Sequence, residues 1–164
     1  MTDHARPKDT GLSWALGRIP SGLYILTVRY EGRSTGMLAS WVQQAGFDPP
    51  MVTVAVGRDR FVGDWISSSG RFVLNQLATG SKVLIRHFGR GFAPDAPAFE
   101  GIELRDEAQG GPVLASALGF LDAEVVGELR EGDHRIFLGR IVGGGAIDAE
   151  AEPFVHVRAN GMHY

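Results

Sequence analysis

A small antiparallel β-barrel with two or three short helices is the fold class this sequence predicts, on three observations. Turn signals recur at short spacing, at Glu31-Gly32-Arg33, Gly46 to Pro50, Gly110-Gly111-Pro112 and Glu131-Gly132-Asp133, which leaves room for short strands between them. From Leu121 to Arg130 the chain alternates, with Leu121, Ala123, Val125 and Leu129 on one face and Asp122, Glu124, Glu128 and Arg130 on the other. A period of two is a strand with one wet face. Helical spacing is confined to brief segments, so the repeating strand and helix units of a parallel sheet are missing.

The elements follow in order. Residues 1–11 read as a disordered polar tail and 12–164 as one domain. Thr10 or Ser13 can cap a short helix carrying Leu12, Trp14, Leu16 and Ile19, ended by Gly17 or Pro20 and expected to cover a barrel end. Ser21 to Tyr30, rich in β-branched and aromatic residues, pairs in a hairpin with Gly36 to Val42, which is expected in the middle of the sheet. Pro49 and Pro50 fix φ and lack N–H donors, so Gly46 to Pro50 is a turn. The unbroken apolar run Met51 to Val56 then predicts a strand buried on both faces.

Phe61, Val62, Trp65 and Ile66 share one helical face between Asp59 and Ser69, with Gly70 as the stop. Arg71 to Leu77 is a strand, and Lys82 to Phe88 a second helix with Val83, Leu84, His87 and Phe88 on one face. Gly89 to Ala98 is a loop, Phe99 to Arg105 a short extended piece, and Val113-Leu114 follow a turn. The alternating strand forms a long hairpin with His134 to Val142, Gly143 to Gly145 permit a bend or bulge, and Phe154 to Arg158 is the last strand.

Composition narrows the function. A length of 164 residues suits one domain with a substantial core. A net charge of −3 with no basic stripe argues against nucleic acid or an anionic membrane as partner. The apolar runs are far shorter than the ~20 residues of a membrane helix, and the polar beginning MTDHARPKDTG lacks the apolar stretch of a secretory signal. A cytoplasmic location is therefore expected. Without cysteine there is no thiolate metal site or cysteine nucleophile, so redox chemistry needs an organic cofactor or a metal held by His and carboxylates. The five histidines show no i, i+4 pair that would suggest a metal or haem.

Chemistry concentrates between Gly36 and Arg60. Met37, Leu38, Ala39, Ser40, Trp41 and Val42 form a strand of small and apolar residues beside a Trp, which leaves room for a flat ring. Ala55, Val56 and Gly57 end the next strand, and Arg58 and Arg60 lie just past it before a helix, where guanidinium groups can hold a phosphate. The pattern suits a flavin mononucleotide site. The same residues also have ordinary uses: close packing, a core Trp, a solvated helix start. No G-x-G-x-x-G or G-x-x-x-x-G-K-[ST] follows a strand, so neither a dinucleotide-binding α/β fold nor a phosphate loop is supported.

Five segments in this order resemble the flavin reductase-like family: Ser21-Gly22, Ser40-Trp41 before Asp48-Pro49-Pro50, Ser69 to Asn75, Gly111 to Leu114, and Gly132-Asp133-His134 before Ile136 to Gly139. The wordings MLASWVQQAGFDPP, FVLN and NGMHY look most like the flavin reductase module at the C-terminal end of flavodiiron proteins, whose diiron and flavodoxin parts have no counterpart in these residues. The resemblance implies a split β-barrel, a homodimer, and binding of FMN, with FAD as the alternative. It implies that Met37 to Val42 lie along the flavin ring and that Gly57 to Arg60 meet the ribityl or phosphate group. Asn75 and Arg86-His87-Phe88 are further candidates near the phosphate. His134 takes the position tied to the nicotinamide side of the reaction, or simply bonds its own turn, and Tyr164 could stack on the flavin. Met37-Leu38-Ala39-Ser40 has fewer hydroxyls than the family's usual loop, and Trp41 replaces a Phe, which leaves FMN against FAD open.

The reaction so implied is hydride transfer from NADH or NADPH to flavin, followed by electron delivery to a partner oxygenase or to oxygen. It requires the reacting atoms about 3 to 3.5 Å apart, so the protein positions and shields. Two rivals are a flavin-bound electron-transfer protein without a nicotinamide site, and a non-flavin relative using the barrel for haem or dimerisation.

Overall fold

The computed structural model describes residues 11–106 and 108–163. Its element order is α1 (Leu12–Gly17), β1 (Ser21–Gly22), β2 (Tyr24–Tyr30), β3 (Arg33–Ala39), β4 (Val42–Phe47), β5 (Pro50–Gly57), α2 (Phe61–Ser69), β6 (Arg71–Gln76), α3 (Lys82–Gly89), β7 (Leu104–Arg105), β8 (Val113–Leu114), β9 (Gly119–Leu129), β10 (His134–Ala146) and β11 (Val155–His156). Seven strands form one antiparallel sheet in the order β3-β2-β6-β9-β10-β5-β4.

The order of that sheet dictates its shape. β3 and β4 are its two edges, yet only Ser40 and Trp41 separate them in the chain. A flat sheet of seven strands would hold its edges about 29 Å apart at ~4.8 Å per strand, while three residue steps from Ala39 to Val42 reach at most about 11 Å. The sheet must therefore curl until its edges meet. Ala55 N donates to Trp41 O at 3.0 Å beside the meeting line. The result is a split β-barrel, curled but with β3 and β4 unpaired to each other.

This geometry corrects three expectations. Gly36 to Val42 is not one strand, because the chain leaves one sheet edge at Ala39 and starts the other at Val42. β3 is an edge strand and does not lie mid-sheet. β5 is buried on one face only: Val52, Val54 and Val56 point into the barrel while Thr53, Ala55 and Gly57 stay half-buried, since an outermost hairpin has no layer over its second face.

The barrel interior packs Leu26, Val28, Phe72, Leu74 and Phe137 against the β5 valines and against Val62, Trp65 and Ile66 of α2. Each fully buried side chain of this size contributes about 1.5–3 kcal/mol. Gly70, at φ 70° and ψ 13°, stops α2 in the left-handed conformation that glycine adopts without strain. Arg135, 5% exposed, ties α2 to the sheet: its Nη1 donates to Asp64 Oδ1 at 2.7 Å and its Nε lies 3.3 Å from Glu128 Oε1. A second cluster, Leu23, Ile25, Leu77, Leu84, Phe88 and Leu114, fills the space under α3.

Elsewhere the elements run close to the periodicity, with named departures. Leu129 is exposed although its alternation puts it inside, because the β9–β10 register shifts at Val126 and reverses the faces beyond it. The glycine-rich end of β10 is bulged as expected, with the shift falling between Ile141 and Gly143. On α3 the packed face is Leu84, Ile85 and Phe88, and Val83 is exposed. In Phe99 to Arg105 only Leu104–Arg105 are extended, paired with β8. The last strand shortens to Val155–His156, paired with β1 outside the main sheet. α1 lies against the C-terminal segment, with Gly161 N donating to Ser13 O and Arg158 N to Gly17 O, and leaves Leu12, Trp14 and Ile19 exposed. It covers no barrel end. Its N-cap is Gly11, without a side-chain cap from Ser13, while Thr10 and the rest of the expected tail lie outside the described residues.

Candidate functional site

The meeting of the two sheet edges leaves a groove of about 950 Å³. One wall is the end of β3 with its exit, Met37, Leu38, Ala39 and Ser40. The facing wall is Ala55 and Gly57 of β5, with Arg58, Asp59 and Arg60 beyond its end. Small side chains at Ala39, Ala55 and Gly57 keep the slot open. Ile85 and Gly89 of α3 and the Asp133-His134 corner complete it, with Leu23, Phe154 and His156 along the remaining side.

The two arginines differ. Arg58 N donates to Asp133 O at 2.9 Å, and its guanidinium donates to the Arg130 carbonyl, so this side chain is already engaged by the β9–β10 turn. Arg60 is exposed, packs beside Gly91, and its guanidinium has no hydrogen-bond or ion-pair partner among the described residues. Gly91, at φ +71°, is itself in the left-handed region, and its bare Cα lets the Arg60 side chain pass close to the backbone.

His134 opens β10 opposite Gly57 in the register, which places its ring on the groove wall. Its Nδ1 lies 2.8 Å from Asp133 Oδ1. The hydrogen bond from His134, followed by its charge, holds the Asp133 carboxyl below the usual carboxylate range. The Trp41 ring packs on the imidazole at 4.6 Å between centroids and 45° between planes, and the Arg158 guanidinium lies 5.2 Å from the Trp41 ring centroid. Trp41 therefore supports His134 from behind the wall.

Of the residues singled out from sequence, Met37, Leu38, Ala39, Ser40, Ala55, Gly57, Arg58, Arg60 and His134 meet at this groove. Val42 starts β4, paired with Val54 and packed on the barrel core. Val56 faces the barrel interior, as alternation requires once Ala55 and Gly57 face out. Asn75, 0% exposed, is consumed by structure: its Oδ1 accepts from Leu114 N at 2.8 Å, and its Nδ2 donates to Ile25 O at 3.2 Å and Pro112 O at 3.3 Å. On α3, Arg86 points to solvent, His87 Nε2 bonds Ala98 O at 2.8 Å, and Phe88 is buried. Helical spacing instead brings Ile85 and Gly89, four apart, to the groove. Tyr164 lies outside the described residues. Sequence reading missed Leu23, Ile85, Gly89, Phe154 and His156; only the two-residue spacing of Phe154 and His156, one face of a strand, carried a signal.

A family model described as flavin reductase like domain matches residues 16–162. The chain belongs to the flavin reductase-like domain family. It is 40% identical over 157 residues to diflavin flavoprotein A 1 of Synechocystis sp., covering 95% of this chain and 27% of that protein. It is 41% identical over 154 residues to putative diflavin flavoprotein A 3 of Nostoc sp., again 27% of the relative's length. The chain thus spans about a quarter of these curated relatives, in line with the resemblance to a module of flavodiiron proteins. Among solved structures, the NADH:FAD oxidoreductase SgcE6 of Streptomyces globisporus C-1027 superposes with a TM-score of 0.81 at 26% identity, over 96% of this chain and 94% of that one.

The groove brings together groups that could hold a cofactor. Small and apolar residues of β3, β5 and α3 line one part of the groove and Arg58, Asp59, Arg60, Asp133 and His134 another, and among the described residues the Arg60 guanidinium is a cation without a partner. Among the described residues no group of three or more His, Asp or Glu side chains suits a metal ion, and no helix is long and apolar enough to cross a membrane.

Proposed function

We propose that this flavin reductase-like chain is an NAD(P)H-dependent flavin reductase of the cytoplasm, a homodimer that binds FMN in the groove and passes electrons to a partner oxygenase or to oxygen. The observation that supports the reading is one slot walled by small residues of β3 and β5, with a histidine and a guanidinium unpaired among the described residues on its rim. Bound flavin supplies the acceptor for a hydride, which no side chain here can replace. The chain's own residues do the rest. Ala39, Ala55 and Gly57 admit a flat ring, Arg60 neutralises its anionic tail, and Met37, Leu38 and Ile85 exclude water. His134, held through Nδ1 by Asp133 and backed by Trp41, presents Nε2 to the nicotinamide carboxamide.

Homodimerisation is supported by the exposed edge strand β4 and by Phe47, 90% exposed at its end. A sedimentation mass of one chain would contradict it. For the activity, FMN-loaded protein is mixed anaerobically with NADH and with NADPH in a stopped-flow instrument. Loss of the oxidised-flavin absorbance is expected with at least one donor. Persistence of that absorbance with both, while FMN remains bound, would leave only an electron-transfer protein.

A further inference from the structure

The contacts that hold His134 are unequal. Its side chain is 19% exposed, while the Asp133 carboxylate that meets Nδ1 is 95% exposed, so that hydrogen bond is a weak tether in water. The ring is covered instead by Trp41, whose centroid lies 4.6 Å away. Trp41 has its backbone fixed by the bond from Ala55 N to its carbonyl. Its indole carries the Arg158 guanidinium 5.2 Å from the ring centroid, within reach of a cation–π attraction.

Arg158 belongs to the C-terminal segment, whose course is fixed at both ends. Phe154 N donates to Leu77 O at 2.9 Å, and Val155–His156 pair with Ser21–Gly22 of β1. Phe154 and His156 face the groove and Arg158 is the next half-buried residue at the same spacing, while Val155 and Val157 are exposed. The alternation that lines the groove therefore also aims Arg158 at Trp41. α1 then closes on the segment: Gly17 O accepts from Arg158 N at 3.0 Å, Ser13 O accepts from Gly161 N at 2.7 Å, and the Arg18 guanidinium donates to Arg158 O. The two backbones touch at glycines, and a Cβ on Gly161 would stand 2.2 Å from Leu16 Cβ.

We infer that Arg158 is a positioning residue for the nicotinamide step: it holds Trp41 against His134, and α1 holds Arg158, so that a helix outside the barrel sets the orientation of a ring on the groove wall. The inference rests on the role given to His134 under the flavin reductase reading and deepens it. Neither Trp41 nor Arg158 lines the groove, so both act through His134. A cation–π contact near the surface corresponds to about two- to fivefold in an equilibrium or rate ratio.

The first readout needs no ligand. In proton NMR spectra of the full chain, the His134 ring signal, identified by its absence from His134→Ala, carries the ring-current shift of the indole packed on it. Arg158→Ala is expected to move that signal toward the position of an exposed histidine, and Arg158→Lys, which keeps a cation by the indole, to leave it near the parent value. The second readout is oxidation of NADH or NADPH at saturating FMN. Arg158→Ala is expected to lower kcat/KM for the donor about two- to fivefold, with Kd for FMN changed less than twofold. In the His134→Ala background the same substitution is expected to cost nothing further, since the path it acts through is gone. Gly161→Ala drives a methyl group into α1 and is expected to reproduce both effects, and thermal melts confirm that the variants fold. An unmoved His134 signal in Arg158→Ala, or a kinetic loss that persists in full without His134, would overturn the inference; an unmoved signal in Gly161→Ala would overturn the part given to α1. A moved signal, together with no flavin reduction by either donor in the parent protein, would uphold the positioning of the ring and overturn the nicotinamide reading.

Discussion

Arg60→Ala removes the one groove guanidinium without a protein partner among the described residues, and its effect on binding follows from that. A hydrogen bond to a charged group is worth about 1.5–3 kcal/mol net, or roughly 10- to 150-fold in Kd. Arg60 is exposed, so solvent and salt screen it and the low end applies, about 10- to 30-fold for FMN. Arg58→Ala should cost less than about threefold, because that guanidinium is already spoken for by the Arg130 carbonyl and would have to give up one bond to make another. Riboflavin, which lacks the phosphate, should bind both variants as it binds the parent. Fluorescence titrations with FMN and riboflavin at about 0.05 and 0.5 M salt separate these cases, and the Arg60 effect should shrink at the higher salt as the Debye length shortens. An equal loss for riboflavin and FMN would show that Arg60 shapes the groove and does not read the phosphate. A larger loss from Arg58 would reverse the assignment.

Three further outcomes follow from the same contacts. His134→Ala should lower kcat/KM for the nicotinamide donor about tenfold, one hydrogen bond's worth, with FMN affinity little changed; unchanged NADH oxidation would remove the role given to that ring. Asn75→Ala should destabilise the fold by about 1–3 kcal/mol in urea, since it strands the buried Leu114 N–H and removes a donor from the Ile25 carbonyl, while Pro112 O keeps its bond from Thr27 Oγ1, and the folded fraction should still bind FMN. Burial raises the Glu128 carboxyl, but hydrogen bonds from Arg130 and Ser67 and the charges of Arg130 and Arg135 outweigh it and leave it lowered. A lowered carboxyl stabilises the fold above its ordinary range and loses that contribution as pH falls through the lowered value. Glu128→Gln should therefore cost about 1–2 kcal/mol at neutral pH, with Asp64 still partnering Arg135, and the gap in urea midpoint should close in acid.

Much of the barrel was legible because most strands obey a period that one residue pair can test. Leu121, Ala123 and Val125 of β9 turn into the barrel core as their alternation requires, and Gly70 ends α2 at the predicted residue. β4 was invisible for a physical reason. Gln43, Gln44 and Ala45 are exposed on an edge strand that buries almost nothing, so no alternation marks it. The bulge at Val126 was likewise silent, because an extra residue reverses the inside and outside of Leu129 without altering composition. On α3, apolar residues outnumber the places in its packed face, and only the tertiary contact decides that Ile85 and not Val83 is used.

The site was legible in part for a deeper reason. A phosphate loop is local, with strand, glycines and helix contiguous, and can be recognised as a string. This groove is made where two ends of a curled sheet approach, and the closure that creates it spans only Ser40 and Trp41. Residues flanking that closure, Met37 to Ser40 and Ala55 to Arg60, were therefore found as one stretch. Residues that reach the groove through the barrel's return path are distant in sequence: His134 arrives by pairing with Gly57, and His156 by pairing with Ser21. Asn75 and Phe88 are equally close to the family's familiar wording, yet their polar atoms or rings are used up in holding β2, β8 and α3 together. What separates a binding residue from a structural one here is whether its hydrogen-bonding capacity is already filled. On that criterion Arg60 stands apart from Arg58 and Asn75.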